Sequence, residues 1–159
     1  YAEYVRRSEK PLPLLVADLG EQPAEAILRE IGEPRLRGML RLAGYIPNSD
    51  LPAIYNEASA FLYTSLRESF GIPQLEAMAC GTPVVTSAAS AIPEVAGQGA
   101  ILVDPTDPTA IADALLRLET DAEFRAGQVA YGLERVKQFS WEKTARHLLA
   151  LYESLGKTN

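Results

Sequence analysis

The sequence predicts an α/β fold, a Rossmann-like parallel sheet flanked by helices, and three observations carry that expectation. Short apolar runs alternate from end to end with longer segments of helical period, the pattern of strands joined by crossover helices. The runs are mostly continuous rather than alternating, which marks strands covered on both faces. The 159 residues, 47% apolar and 23% charged, suit one core and fit no disordered, collagen-like or membrane-spanning class.

Taken in order, Tyr1–Lys10 reads as the end of a helix, and strands are expected at Leu12–Ala17 and Met39–Ala43. Leu51, Ile54, Tyr55 and Ala58 then fall at i, i+3, i+4 and i+7, one apolar helix face, with Asp50 as N-cap and Pro52 in the first turn. A third strand is expected at Ala60–Thr64 and a fourth at Pro83–Ser87. The short helix between them has Pro73 in its first turn, Gly81 at its C-terminal cap, and Leu75, Met78 and Ala79 facing inward. After a fifth strand at Ala100–Val103, Asp107 caps a helix that begins at Pro108 and buries Ile111, Leu115 and Leu118. The last helix opens at Ser140 and carries Trp141, Ala145, Leu148, Leu149, Tyr152 and Leu155 on one stripe that needs a surface to cover. Trp141 is expected to be its buried anchor, and a polar tail follows Gly156.

Fifteen Lys and Arg against 21 Asp and Glu give a net charge of −6, and no basic run interleaves with aromatics, so a nucleic-acid surface is not expected. Cys80 has no partner for an internal bridge and no charged-then-apolar leader opens the sequence, which points to a reducing cytoplasm. Cys80 itself reads as core, and His147, the only histidine, as a surface or packing residue. Glu94 reads as an acid at a helix start; Asp104 and Asp107, each followed closely by proline, mark a turn and a helix start rather than a metal site. No metal is expected.

The chemistry is concentrated between Ser65 and Pro83. The short helix there begins at the carboxyl end of a strand, where open α/β sheets place ligands. Its four starting amide positions, Gly71–Gln74, and the positive end of its dipole offer a place for an anion such as a diphosphate. Glu68 lies just before that end and Glu76 one turn inside it. Carboxylates repel a diphosphate, so their task is hydroxyl recognition, with sugar or ribose diols donating to them. Acids also stabilise helix N-termini, so the residues by themselves leave a structural reading open beside the functional one.

Glu68, seven intervening residues and Glu76, set among Phe70-Gly71, Pro73, Glu76-Ala77-Met78-Ala79 and Gly81-Thr82-Pro83-Val84-Val85, closely resemble the signature of family 4 (group 1) retaining glycosyltransferases. The resemblance runs from about Met39 to Tyr152, through Gly44-Tyr45-Ile46-Pro47, Ile92-Pro93-Glu94-Val95, Leu102-Val103-Asp104-Pro105 and Phe139-Ser140-Trp141. It implies that residues 1–159 form one nucleotide-sugar-binding domain, the C-terminal half of a GT-B enzyme that transfers a hexose from a nucleoside-diphosphate sugar. By that resemblance Glu68 is the catalytic residue and contacts donor-sugar hydroxyls, while Glu76 accepts from the ribose. Main chain near Phe70, Gly71 and Ile72 meets the diphosphate and sugar, and the Tyr45–Ile46 turn reads the base edge. Ser69 stands where the family often has glycine.

The resemblance also implies partners that the sequence does not contain: an N-terminal Rossmann-like domain, and an upstream strand whose Arg and Lys neutralise the diphosphate. Without that strand, which lies centrally in a Rossmann-like order, two strand edges are left unpaired, so either the family order is modified here or a neighbouring segment supplies the part. In the family the acceptor site belongs to that N-terminal domain, so the isolated chain is expected to be inactive; it is also expected to need no cofactor beyond its sugar-nucleotide substrate and to meet the inner face of the membrane only through the N-terminal half. A binding module without catalysis and a GT-B sugar-nucleotide epimerase are the competing readings.

Overall fold

The computed structural model describes residues 1–156 and contains all five expected strands, each parallel to its neighbours. They are β1 (Leu14–Ala17), β2 (Leu40–Gly44), β3 (Phe61–Tyr63), β4 (Val84–Ser87) and β5 (Ile101–Val103). Around them run α1 (Ala2–Arg7), α2 (Glu21–Glu30), a 3-10 turn at Pro34–Met39, α3 (Leu51–Glu57), α4 (Ile72–Ala79), α5 (Ile92–Ala96), α6 (Pro108–Thr120), α7 (Ala122–Val136) and α8 (Trp141–Gly156). The polar tail after Gly156 lies outside the described residues.

The strands form two sheets, β1-β2 and β3-β4-β5. Among the described residues β1 pairs with β2 alone and β3 with β4 alone, so each keeps one edge unpaired. Helices tie the two sheets together. Arg7 of α1 bonds Asp113 of α6 at 2.5 Å, and Ser8 donates to Glu119 at 2.7 Å.

The three-stranded sheet holds the main core. Consecutive β4 residues point to opposite faces: Val84 packs with Leu75, Met78 and Val95, and Val85 with Val103, Ile111 and Leu118. All four β4 residues are buried, as a parallel strand with helices on both faces requires. That expectation fails for β1 and β2. Leu14, Val16, Leu40 and Leu42 pack with Leu28 and Leu36, but Leu15, Ala17, Arg41 and Ala43 are exposed because no described helix covers their face.

Three further expectations need correction. Asp50 does begin α3, yet its backbone is helical (φ −96°, ψ −18°), its side chain caps nothing, and it accepts from Ser49 instead. Asp107, with extended backbone, accepts from the amides of Thr109 and Ala110 and caps α6 as expected. On α4 the inward residue is Ala77, fully buried, rather than Ala79, which is exposed, because the buried face also includes Gln74. Trp141 is 82% exposed and anchors nothing: α8 has an apolar stripe, but none of its residues is buried.

Candidate functional site

The site is built on the carboxyl end of β3 and the start of α4. Gly71, the N-cap residue of α4, has φ +85°, and a Cβ there would stand 2.9 Å from Gln74 Nε2 and 3.5 Å from the Tyr63 ring, so only glycine fits. No side chain caps this helix end. Pro73 has no N–H, so the donors are the amides of Gly71, Ile72 and Gln74, three rather than four. Phe70 and Ile72 are exposed beside them. The Gln74 side chain is fully buried underneath; its Nε2 donates to Phe70 O at 3.5 Å and its Oε1 has no partner.

Glu68 sits on the loop ahead of Gly71 and is fixed at both its ends. The Tyr63 hydroxyl donates to its Oε1 at 2.5 Å. The Ser90 hydroxyl donates to its carbonyl at 2.7 Å and accepts from its amide at 3.3 Å. Hydrogen bonds from Tyr63 and then Ser65 hold the Glu68 carboxyl below the usual glutamate range, so it is ionised at neutral pH. Burial, followed by that carboxylate, pushes the Tyr63 phenol well up, so it stays protonated and remains a donor.

Glu76 is exposed on α4, and the Tyr55 hydroxyl donates to its Oε2 at 3.4 Å, a longer contact. Burial and then Glu76 push the Tyr55 phenol up to about 12. The two phenols are linked through Phe61, whose ring meets Tyr55 edge-on at 5.2 Å and stacks on Tyr63 at 5.7 Å. Two carboxylates, each with a tyrosine behind it, therefore flank one bare helix end. That end attracts an anion, and the free carboxylate oxygens accept from hydroxyls.

Tyr45 and Ile46 lie elsewhere, just past β2, where Gly44 turns with φ +61°. Tyr45 is 77% exposed, and no hydrogen bond or ring contact among the described residues joins this turn to Glu68. Phe70 meets Phe139 edge-on at 5.8 Å; Phe139 lies under the Arg135 guanidinium, which donates to the carbonyls of Val95 and Glu94. His147 is exposed, Cys80 half-buried against the core, and Asp104 accepts from Thr106 in its turn. Glu94 lies exposed in the first turn of α5 and its side chain makes no cap. Sequence reasoning missed Tyr63 and Ser90, and the parts that the Tyr55 and Gln74 side chains take in the site. Only the alternation that puts Phe61 and Tyr63 on one face of β3 hinted at any of them.

The family model for glycosyl transferases group 1 matches residues 2–135, and the chain belongs to that family. O-antigen chain mannosyltransferase B of Escherichia coli is 42% identical over 118 residues, 74% of this chain and 31% of that protein. D-inositol 3-phosphate glycosyltransferase of Corynebacterium urealyticum is 37% identical over 133 residues, 82% of this chain and again 31% of the relative. The chain thus spans 31% of the length of each of these two relatives. Among solved structures, sucrose-phosphate synthase of Thermosynechococcus elongatus matches with a TM-score of 0.81 at 27% identity, over 99% of this chain and 41% of that one. HepE of Anabaena, in complex with UDP, matches with a TM-score of 0.82 at 20% identity, over 96% of this chain and 43% of that one. The fold is that of the GT-B glycosyltransferases, as the resemblance implied. Among the described residues no helix is long and apolar enough to cross a membrane.

Proposed function

We propose that this domain binds the donor of a retaining glycosyltransferase, which moves a hexose from a nucleoside-diphosphate sugar to an acceptor hydroxyl. The observation that carries this reading is the uncapped start of α4 between two carboxylates, each held by a tyrosine phenol. The diphosphate rests against the amides of Gly71, Ile72 and Gln74, with Phe70 beside it. Glu68 accepts from the sugar hydroxyls, Glu76 from the ribose, and the main chain at Tyr45 and Ile46 meets the base. As the bond to the sugar breaks, charge grows on the leaving diphosphate, and the helix end stabilises it in place of a metal. The related HepE was solved with UDP and with UDP-glucose, which supports a sugar nucleotide as ligand.

The same reading completes the fold. A further parallel strand lies between β1 and β3, giving the order 2-1-x-3-4-5 with the switch point of a doubly wound sheet at the site. An N-terminal Rossmann-like domain faces it in the cytoplasm and brings the acceptor, so the 159 residues alone transfer no sugar. The two unpaired edges and the share of each relative's length that the chain spans support this.

Calorimetric titration with UDP, GDP and ADP tests the donor site. One nucleotide is expected to bind in preference to the others and to lose affinity in Glu76→Ala. No heat of binding from any of them at millimolar concentration overturns the reading.

A further inference from the structure

We propose that Tyr63 and Ser90 are positioning residues for Glu68, the phenol fixing its carboxylate and the serine hydroxyl fixing its main chain, so that one carboxylate oxygen stays presented to the donor sugar. The inference rests on the donor-site reading of Glu68 and adds to it two residues from outside the Glu68–Glu76 segment.

Glu68 needs such support because its loop has little of its own. Leu66 is 66% exposed, and Arg67, Ser69 and Phe70 are exposed as well. An exposed loop holds a carboxylate poorly unless something rigid grips it. Two rigid elements do. Tyr63 belongs to β3, its ring stacked on Phe61 and seated beside Gly71, and its hydroxyl takes up Oε1 at 2.5 Å. The Ser65 hydroxyl is a second, weaker side-chain partner of the carboxylate, whose remaining lone pairs are left to accept.

Ser90 follows the wholly buried β4 and satisfies both main-chain polar groups of Glu68 with one hydroxyl, giving to the carbonyl and taking from the amide. Its backbone has φ +58°, a left-handed conformation that side chains other than glycine, asparagine and aspartate rarely adopt. A serine kept in that conformation at the rim of a site is strain that its two hydrogen bonds to the Glu68 main chain offset. Glu76, by contrast, has a single phenol contact at 3.4 Å.

Calorimetry of the full chain with three probe pairs, UDP and UDP-glucose, GDP and GDP-mannose, ADP and ADP-glucose, measures how much affinity the sugar adds to each nucleotide. In Tyr63→Phe and in Ser90→Gly that added affinity is expected to fall by about tenfold, while the bare nucleotide binds within about twofold of wild type. Glycine takes the Ser90 backbone conformation without strain, so the second variant keeps the fold. Equal sugar increments in wild type and both variants overturn the proposal, as does a wild type to which the sugar adds nothing. If no probe binds the wild type, it is the donor-site reading that fails. The bracing is then decided by carbon-13 NMR of the Glu68 carboxyl, whose titration midpoint rises in Tyr63→Phe if the phenol holds it and stays in place if the proposal is wrong.

Discussion

The two parallel sheets of this domain are written in similar apolar runs yet are clothed unequally. In the three-stranded sheet, β4 lies between α4 and α5 on one side and α6 on the other, with all four residues buried. In the two-stranded sheet, Leu15 is 46% exposed, and Ala17, Arg41 and Ala43 face outward with it. The residues that converge on the start of α4 all hang from the better-clothed sheet. A buried platform locates a carboxylate to a fraction of an ångström, whereas a half-bare sheet has fewer contacts with which to resist local opening. Rigidity is concentrated where the chemistry is proposed.

The largest test of this contrast is a pair of truncations. Leu118→Ala, at 2% exposure beneath β4, is expected to cost about 3 kcal/mol in urea unfolding, and Leu15→Ala within about 0.5 kcal/mol. Similar costs at the two positions break the comparison. Gly71→Ala comes next, at about 2 kcal/mol, because it forces a left-handed alanine and displaces the Gln74 amide. It is expected to weaken nucleotide binding as well, which titration calorimetry reads. The helix starts offer a finer test. Asp107→Ala removes two cap bonds and is expected to cost about 1 kcal/mol, while Asp50→Ala costs close to nothing, both measured as shifts in urea midpoint.

A pH dependence at Tyr55 tests the site-bearing half in a different way. Tyr55 ionises near 10 when unfolded and only near 12 when folded, so the folded chain holds the extra proton between those values. The stability this confers is fully present below pH 10 and is lost as the pH rises through 12. Thermal melts across that interval are expected to decline less steeply in Tyr55→Phe than in wild type.

Much of this was legible in the sequence. The five strands follow from their apolar runs, with the ends shifted by one or two residues, and Asp107, Pro108 and Gly81 act as their types predict. The placement of Glu68, Gly71 and Glu76 around one helix start was legible because helix-start chemistry and the family spacing coincide there. What escaped detection depends on tertiary position. Whether a continuous run such as Leu12–Ala17 is covered on one face or two is decided by helices far away in sequence. An amphipathic stripe shows that Trp141 and Leu149 prefer a partner but not that a described residue supplies one. Ser90 carries no local sign of its left-handed backbone, and its tie to Glu68 spans 22 residues. Asp50 shows the reverse failure, a good cap residue whose backbone angles turn its carboxylate elsewhere.

Phe139 has a mechanical meaning beyond packing. It stands two residues before α8, touches Phe70 with its ring edge and is pressed from behind by Arg135, which also grips the main chain of α5. The C-terminal helix thus leaves the body of the domain at a fulcrum set against the lip of the site. Phe139 therefore places the start of α8 against the ring beside Gly71.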